Sequence, residues 1–112
     1  MPVIDRTTFE ELKQMSGDDF INELIDTFLD DAPKMIAEIK SGLATNNADI
    51  FRRAAHSMKS NAATFGASQL AALAKELEML GKENKLSETG DRLNALEEAY
   101  ASVRDELKGL KA

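Results

Sequence analysis

Leu93, Leu96, Tyr100, Val103, Leu107 and Leu110 recur at alternating intervals of three and four residues, and nothing else in the chain constrains its fold as tightly. That spacing puts six apolar side chains on one face of an α-helix. The rhythm returns in Leu70, Leu73, Leu77 and Leu80, and again in Ile21, Leu24, Ile25, Phe28 and Leu29, continued by Ile36, Ile39 and Leu43. No run alternates with period two and β-branched residues are scattered, so strands are not expected. Helices that are apolar along one stripe must bury it against one another, and short connections make sequential helices antiparallel. The expectation is an all-α chain: an antiparallel four-helix bundle with a short additional N-terminal helix. A chain of 112 residues has room for one such domain, residues 1–112.

Local signals set the helix ends. A first helix is expected over about Phe9 to Met15, with Thr8 and Glu11 as a capping box and Gly17 as the stop. The second begins after Asp18 and Asp19, whose carboxylates suit a helix N-terminus. Pro33 either kinks it or opens a new helix. Thr45 to Asn47 is a turn with candidate N-caps. The third helix runs from about Ala48 to Phe65 and stops at Gly66. The fourth ends near Gly81, and the last follows Ser87.

Composition removes several classes of function. The chain has no cysteine and one histidine, which excludes thiolate chemistry, iron–sulfur clusters and multi-histidine zinc sites. A formal net charge of −6 and the absence of tryptophan argue against a nucleic-acid binder. No glycine-rich phosphate loop or kinase signature is present, so ATP binding and autokinase activity are not expected. No stretch is long and apolar enough to span a membrane, and the N-terminus has no apolar h-region; a cytoplasmic monomer is expected.

The third helix carries the chemistry. On a helical wheel with His56 at zero, Ala54, Phe65, Met58 and Phe51 fall between about 160° and 220° and form the core face. The only histidine points away from them. Within roughly 60° of it lie Arg52, Arg53, Lys59, Ser60 and Ala63. A solvated histidine on a polar face needs no function. A haem-binding bundle would need the ring turned inward, which the wheel disfavours.

The segment AHSMKSNAATFGASQLAALAKELE resembles the histidine-containing phosphotransfer (HPt) domain family. His56 is followed after two residues by Lys59, then by the small residues Ser60 and Asn61, and by Gly66 at the family's offset. The leucine stripe and Leu-Glu pair of the next helix are matched by Leu70, Leu73, Leu77 and Glu78. FINELIDTFLDDAPKMIAEI is similar to the family's second helix, so the resemblance runs from about Asp18 to the C-terminus. One departure stands out: the residue after the lysine is commonly glycine and here is Ser60.

The resemblance implies a phosphorelay carrier. His56 would accept a phosphoryl group from an aspartate of a receiver domain and pass it to another receiver. Imidazole suits this because its ordinary pKa, about 6.5, leaves a nucleophilic nitrogen near neutral pH. Lys59, one turn on, would place positive charge beside the phosphoryl oxygens. Arg52, Arg53, Ser60, Ala63 and Lys82 would form the docking surround, basic where a receiver is acidic and low where it must approach. Gly66 would be structural. No cofactor or metal is expected on this chain; the Mg²⁺ of the reaction belongs to the receiver. Partners are response-regulator receivers or a hybrid sensor kinase. The alternative is a helical module that docks such a partner without transferring phosphate. A free-standing carrier and a domain of a larger kinase are equally compatible with the sequence.

Overall fold

The computed structural model describes residues 3–111. The expected domain, 1–112, includes Met1, Pro2 and Ala112, which lie outside the described residues. The described part is helical: α1 (Arg6–Ser16), α2 (Asp18–Ala44), α3 (Ala48–Thr64), α4 (Ser68–Lys82) and α5 (Arg92–Leu110), with a 3-10 turn at Leu86–Glu88. Helices α2 to α5 close the bundle, each packing on its neighbours around the ring, and α1 lies against α2 and α3. The architecture is the expected four-helix bundle with one short helix added. None of the helices is long and apolar enough to cross a membrane.

Helix α1 starts a turn earlier than the sequence suggests. Thr8 and Glu11 match a capping box, but Asp5 is the cap: its carboxylate accepts from the backbone N–H of Thr7 at 3.0 Å and of Thr8 at 3.3 Å. Asp5 also donates its own N–H to the Gly66 carbonyl at 2.9 Å, which ties the N-terminal segment to the α3–α4 turn. A cap held by a tertiary bond outcompetes one that is only local.

Pro33 does not end α2. The helix runs through it for 27 residues. At 1.5 Å per residue this is about 40 Å, and it sets the 41 Å long axis of the molecule. Proline removes one backbone hydrogen bond. Here its ring is exposed while Phe28, Ala32, Ile36 and Ile39 are buried on both sides of it, so packing holds the helix together. Helix α5 begins at Arg92 rather than directly after Ser87. Ser87 sits in the 3-10 turn, pinned by buried Leu86 and by buried Thr89, whose hydroxyl donates to the Leu86 carbonyl at 2.7 Å.

In the core, the Phe28 ring lies 5.4 Å from the Phe65 ring and 5.9 Å edge-on from Tyr100. Phe51, Met58, Leu70, Leu77, Leu96, Val103 and Leu107 fill in around it. Several leucines of the sequence stripes, Leu24, Leu29, Leu73, Leu80, Leu93 and Leu110, are only half-buried and cover the edges. Ala54, Ala55, Ala62 and Ala74 are buried in the core, and two glycines inside helices let neighbouring helices approach closely. Gly81 is one of these: α4 ends at Lys82, one residue beyond it and near where the sequence places the end, and Gly81 is also a contact point. A Cβ there would meet Arg52 Cβ at 2.9 Å and Arg52 Cα at 3.0 Å, so α3 and α4 touch backbone to backbone.

Candidate functional site

Helix α3 is capped by Asn47, whose side-chain oxygen accepts from the Ile50 N–H at 3.1 Å. Its core face is Phe51, Ala54, Ala55, Met58 and Ala62, all buried. That packing fixes the rotation of the helix and turns His56 outward, with its side chain 56% exposed. The wheel reading of the histidine therefore holds. Gly66, with φ of 79°, makes the tight reversal into α4. Only glycine adopts that backbone conformation at little cost, and a Cβ there would lie 3.0 Å from the Asp5 carbonyl oxygen.

Because α4 returns antiparallel against α3, its Glu78 reaches the histidine. One carboxylate oxygen is 2.6 Å from His56 Nδ1 and the other is 2.6 Å from Lys59 Nζ. A carboxylate only accepts, so Nδ1 must carry a proton and donate it to Glu78. In a neutral ring the lone pair then sits on Nε2. Among the described residues, Nε2 has no hydrogen-bond partner. The arrangement thus presents a nucleophilic nitrogen to solvent in one tautomer. Lys59 is less free than the wheel implies: its side chain is 31% exposed and it is paired with Glu78 on the Nδ1 side of the ring.

Glu78 is the residue whose part sequence reasoning missed. It was visible as half of a Leu-Glu pair, but only the α3–α4 contact shows that it faces the histidine. The Lys59 ammonium, and to a smaller extent the His56 ring, hold its carboxyl below the ordinary glutamate value, against its own partial burial. A carboxyl with a depressed pKa stabilises the fold above its unfolded pKa, and that stability is lost as pH falls through the folded value. Acid titration should therefore weaken the α3–α4 tie below about pH 4.5. A Glu78→Gln protein should show a shallower acid limb than the parent in melting temperature between about pH 5 and pH 3. An unchanged limb would mean that Glu78 is not coupled to folding.

The remaining expected residues fall in three places. Arg52 and Arg53 do flank His56 along α3, but neither is free: Arg52 pairs with Asp49 at 2.8 Å, and Arg53 hydrogen-bonds the other oxygen of the same carboxylate. The Arg52 guanidinium first, and then that of Arg53, depress the Asp49 pKa. Ser60 and Ala63 are exposed on the histidine face and leave it low. Lys82 is exposed in the last turn of α4 and has no ion-pair partner among the described residues.

Comparison with known proteins places the chain among related ones. The model of a family described as Hpt domain matches residues 23–106. The phosphorelay protein LuxU of Vibrio harveyi is 30% identical over 88 residues, which cover 79% of this chain and 77% of that protein. The crystal structure of histidine-containing phosphotransfer protein B (HptB) from Pseudomonas aeruginosa PAO1 superposes with a TM-score of 0.91 at 27% sequence identity, covering 98% of this chain and 95% of that one. The family match spans three quarters of the sequence, and the chain belongs to the Hpt domain family.

Proposed function

We propose that this Hpt domain is a phosphorelay carrier and that Nε2 of His56 is the atom that takes the phosphoryl group. The observation that carries the assignment is the 2.6 Å contact between Nδ1 and Glu78. With the proton on Nδ1, the Nε2 lone pair attacks phosphorus directly. The Nε2–P bond forms as the aspartyl O–P bond of the donor breaks, and the donor leaves as a carboxylate. No proton has to be removed from the attacking atom. The ring becomes a phosphoimidazolium whose Nδ1 proton still rests on Glu78. In the onward step an acceptor aspartate attacks phosphorus, the N–P bond breaks, and the neutral ring is recovered in the same tautomer. Glu78 is thus a positioning residue for both directions.

Phosphoryl transfer passes through a loose transition state with charge on the peripheral oxygens. Lys59 supplies positive charge there by swinging from Glu78 to the phosphoryl group. The Mg²⁺ is assigned to the receiver, where it is held by oxygen ligands. The chain has no phosphate-binding loop of its own, so the phosphoryl group is acquired from a partner receiver, in a response regulator or a hybrid kinase, and not from ATP.

Low side chains around the ring leave room for a receiver. Ser60 stands one turn from His56 on the same face, and Ala63 two turns away. Ser60→Gln and Ala63→Glu are expected to lower receiver-dependent transfer at least several-fold. Neither side chain is in the core, so helicity and melting temperature should stay near the parent's. Labelling by phosphoramidate, a small donor, should change much less. Equal losses with both donors would locate the damage in the ring's reactivity and not in docking. The experiment that tests the function itself is label exchange between the protein and phosphorylated receivers, timed against the His56→Gln variant. A protein that binds receivers without exchanging label would be the docking module instead.

A further inference from the structure

Two grooves flank the histidine face, and they differ in charge. On the α2 side, Asp31 and Glu38 line a groove together with Lys34 and Arg53, so its formal charge cancels. On the other side, α1, α3 and α4 enclose an open groove of about 380 Å³. Its walls include Lys59 and Lys75, and Ala63, Gly66 and Ala71 lie between them; no lining residue is acidic. This is unusual in a chain of net charge −6. Lys59 is already matched by Glu78. Lys75 is exposed and has no ion-pair or hydrogen-bond partner among the described residues, so the groove's net charge is its own.

The groove lies where a partner must land. Lys75 is three residues before Glu78 on α4, about 4.5 Å along the helix axis, and Glu78 touches the histidine ring. A standard interface covers about 800 Å² per partner, a disc of about 16 Å radius. A receiver centred on Nε2 of His56 therefore covers Lys75. Its active site is acidic for a chemical reason, since a hard divalent cation is held by carboxylates and other oxygens. Resting on the transfer function proposed above, we propose that Lys75 and this groove seat a carboxylate-bearing loop from the rim of the receiver's active site, and that Lys75 steers that partner onto His56. Arg52 and Arg53 are weaker candidates for the task because Asp49 already occupies both.

The test uses the full chain and a panel of receiver domains charged with acetyl phosphate; the receiver that labels the wild-type protein fastest is the probe. Lys75→Glu should lower the second-order rate constant of label transfer about tenfold at low salt, and Lys75→Gln about threefold. Both deficits should shrink as salt is raised, because attraction between exposed charges is screened. Lys108→Glu, which makes the same charge change beside Tyr100 on the α2–α5 side, should stay within about twofold of wild type. Labelling by phosphoramidate should be the same in all three variants. A Lys75→Glu rate equal to that of Lys108→Glu, or a deficit that ignores salt or appears equally with phosphoramidate, would overturn the role of Lys75 and leave the transfer function standing. A wild-type protein that takes label from neither donor would overturn the transfer function, and this inference with it.

Discussion

A His56→Gln protein is expected to take up no phosphoryl group, from a phosphorylated receiver or from phosphoramidate. The chain has one histidine and no cysteine, so no second side chain offers a comparable nucleophile. Glutamine keeps an N–H that can donate to Glu78, but its amide nitrogen is delocalised and has no lone pair to attack phosphorus. The fold should survive. The replaced side chain is 56% exposed and makes one side-chain hydrogen bond. Its loss should cost no more than about 1 kcal/mol. Wild-type label should be acid-labile and alkali-stable, as a phosphoramidate is. Full labelling of the variant with an unchanged melting temperature would move the site elsewhere.

Gly81→Val, at a buried position of α4, is expected to cost more stability than the substitutions on the exposed histidine face. Two effects oppose each other. Replacing a glycine by valine inside a helix gains only about 0.3 kcal/mol of helix propensity. Against this, the new Cβ would sit 2.9 Å from Arg52 Cβ, 3.0 Å from Arg52 Cα and 3.1 Å from Arg52 N. Those atoms belong to the backbone and the base of a side chain and cannot swing aside. Overpacking of this kind costs about 1–3 kcal/mol, and valine adds two further methyl groups, so the clash wins. A net loss of about 2 kcal/mol corresponds to a fall of about 8–16 °C in melting temperature for a domain of this size. Transfer should fall too, because prying α4 from α3 lengthens the link from Glu78 to His56. Gly109→Ala is the control: no heavy atom lies within 4 Å of a Cβ there. It should raise stability by up to about 1 kcal/mol. Thermal denaturation of both proteins decides the matter, and a Gly81→Val protein as stable as the parent would show that α3 and α4 can separate at little cost.

Helical periodicity was enough to read the bundle, because the stripe through Leu96, Tyr100, Val103 and Leu107 has no other way to be buried. It was also enough to turn His56 outward, since one wheel is set by its own core face. Contacts between elements were not legible in the same way. Gly81 marks the end of α4 to within one residue, as the sequence suggests, but its close approach to Arg52 shows only in three dimensions. Thr8 looked like a cap because the tertiary bond from Asp5 to Gly66 cannot be seen locally. At Pro33 the sequence leaves a kink and a new helix both open; that α2 runs on through it depends on the burial of Ala32, Ile36 and Ile39, which a local reading cannot weigh against one lost hydrogen bond. At the site, the charges on α3 were all visible, but their pairing was not. Asp49 ties up the two arginines, Glu78 holds His56 and Lys59 together, and Lys75 has no partner among the described residues; each of these follows from how α3 and α4 face each other or from side-chain geometry within a turn.

The central claim is that Nε2 of His56 carries the phosphoryl group while Nδ1 keeps its proton on Glu78. Phosphorus NMR of the labelled protein, with its imidazole nitrogens isotopically enriched, reads this directly. The expected spectrum shows phosphorus coupled to Nε2 of His56 and a protonated Nδ1, and the signal disappears when an unphosphorylated receiver and Mg²⁺ are added. Phosphorus coupled to Nδ1, phosphorus on any other residue, or a label that no receiver removes would contradict it.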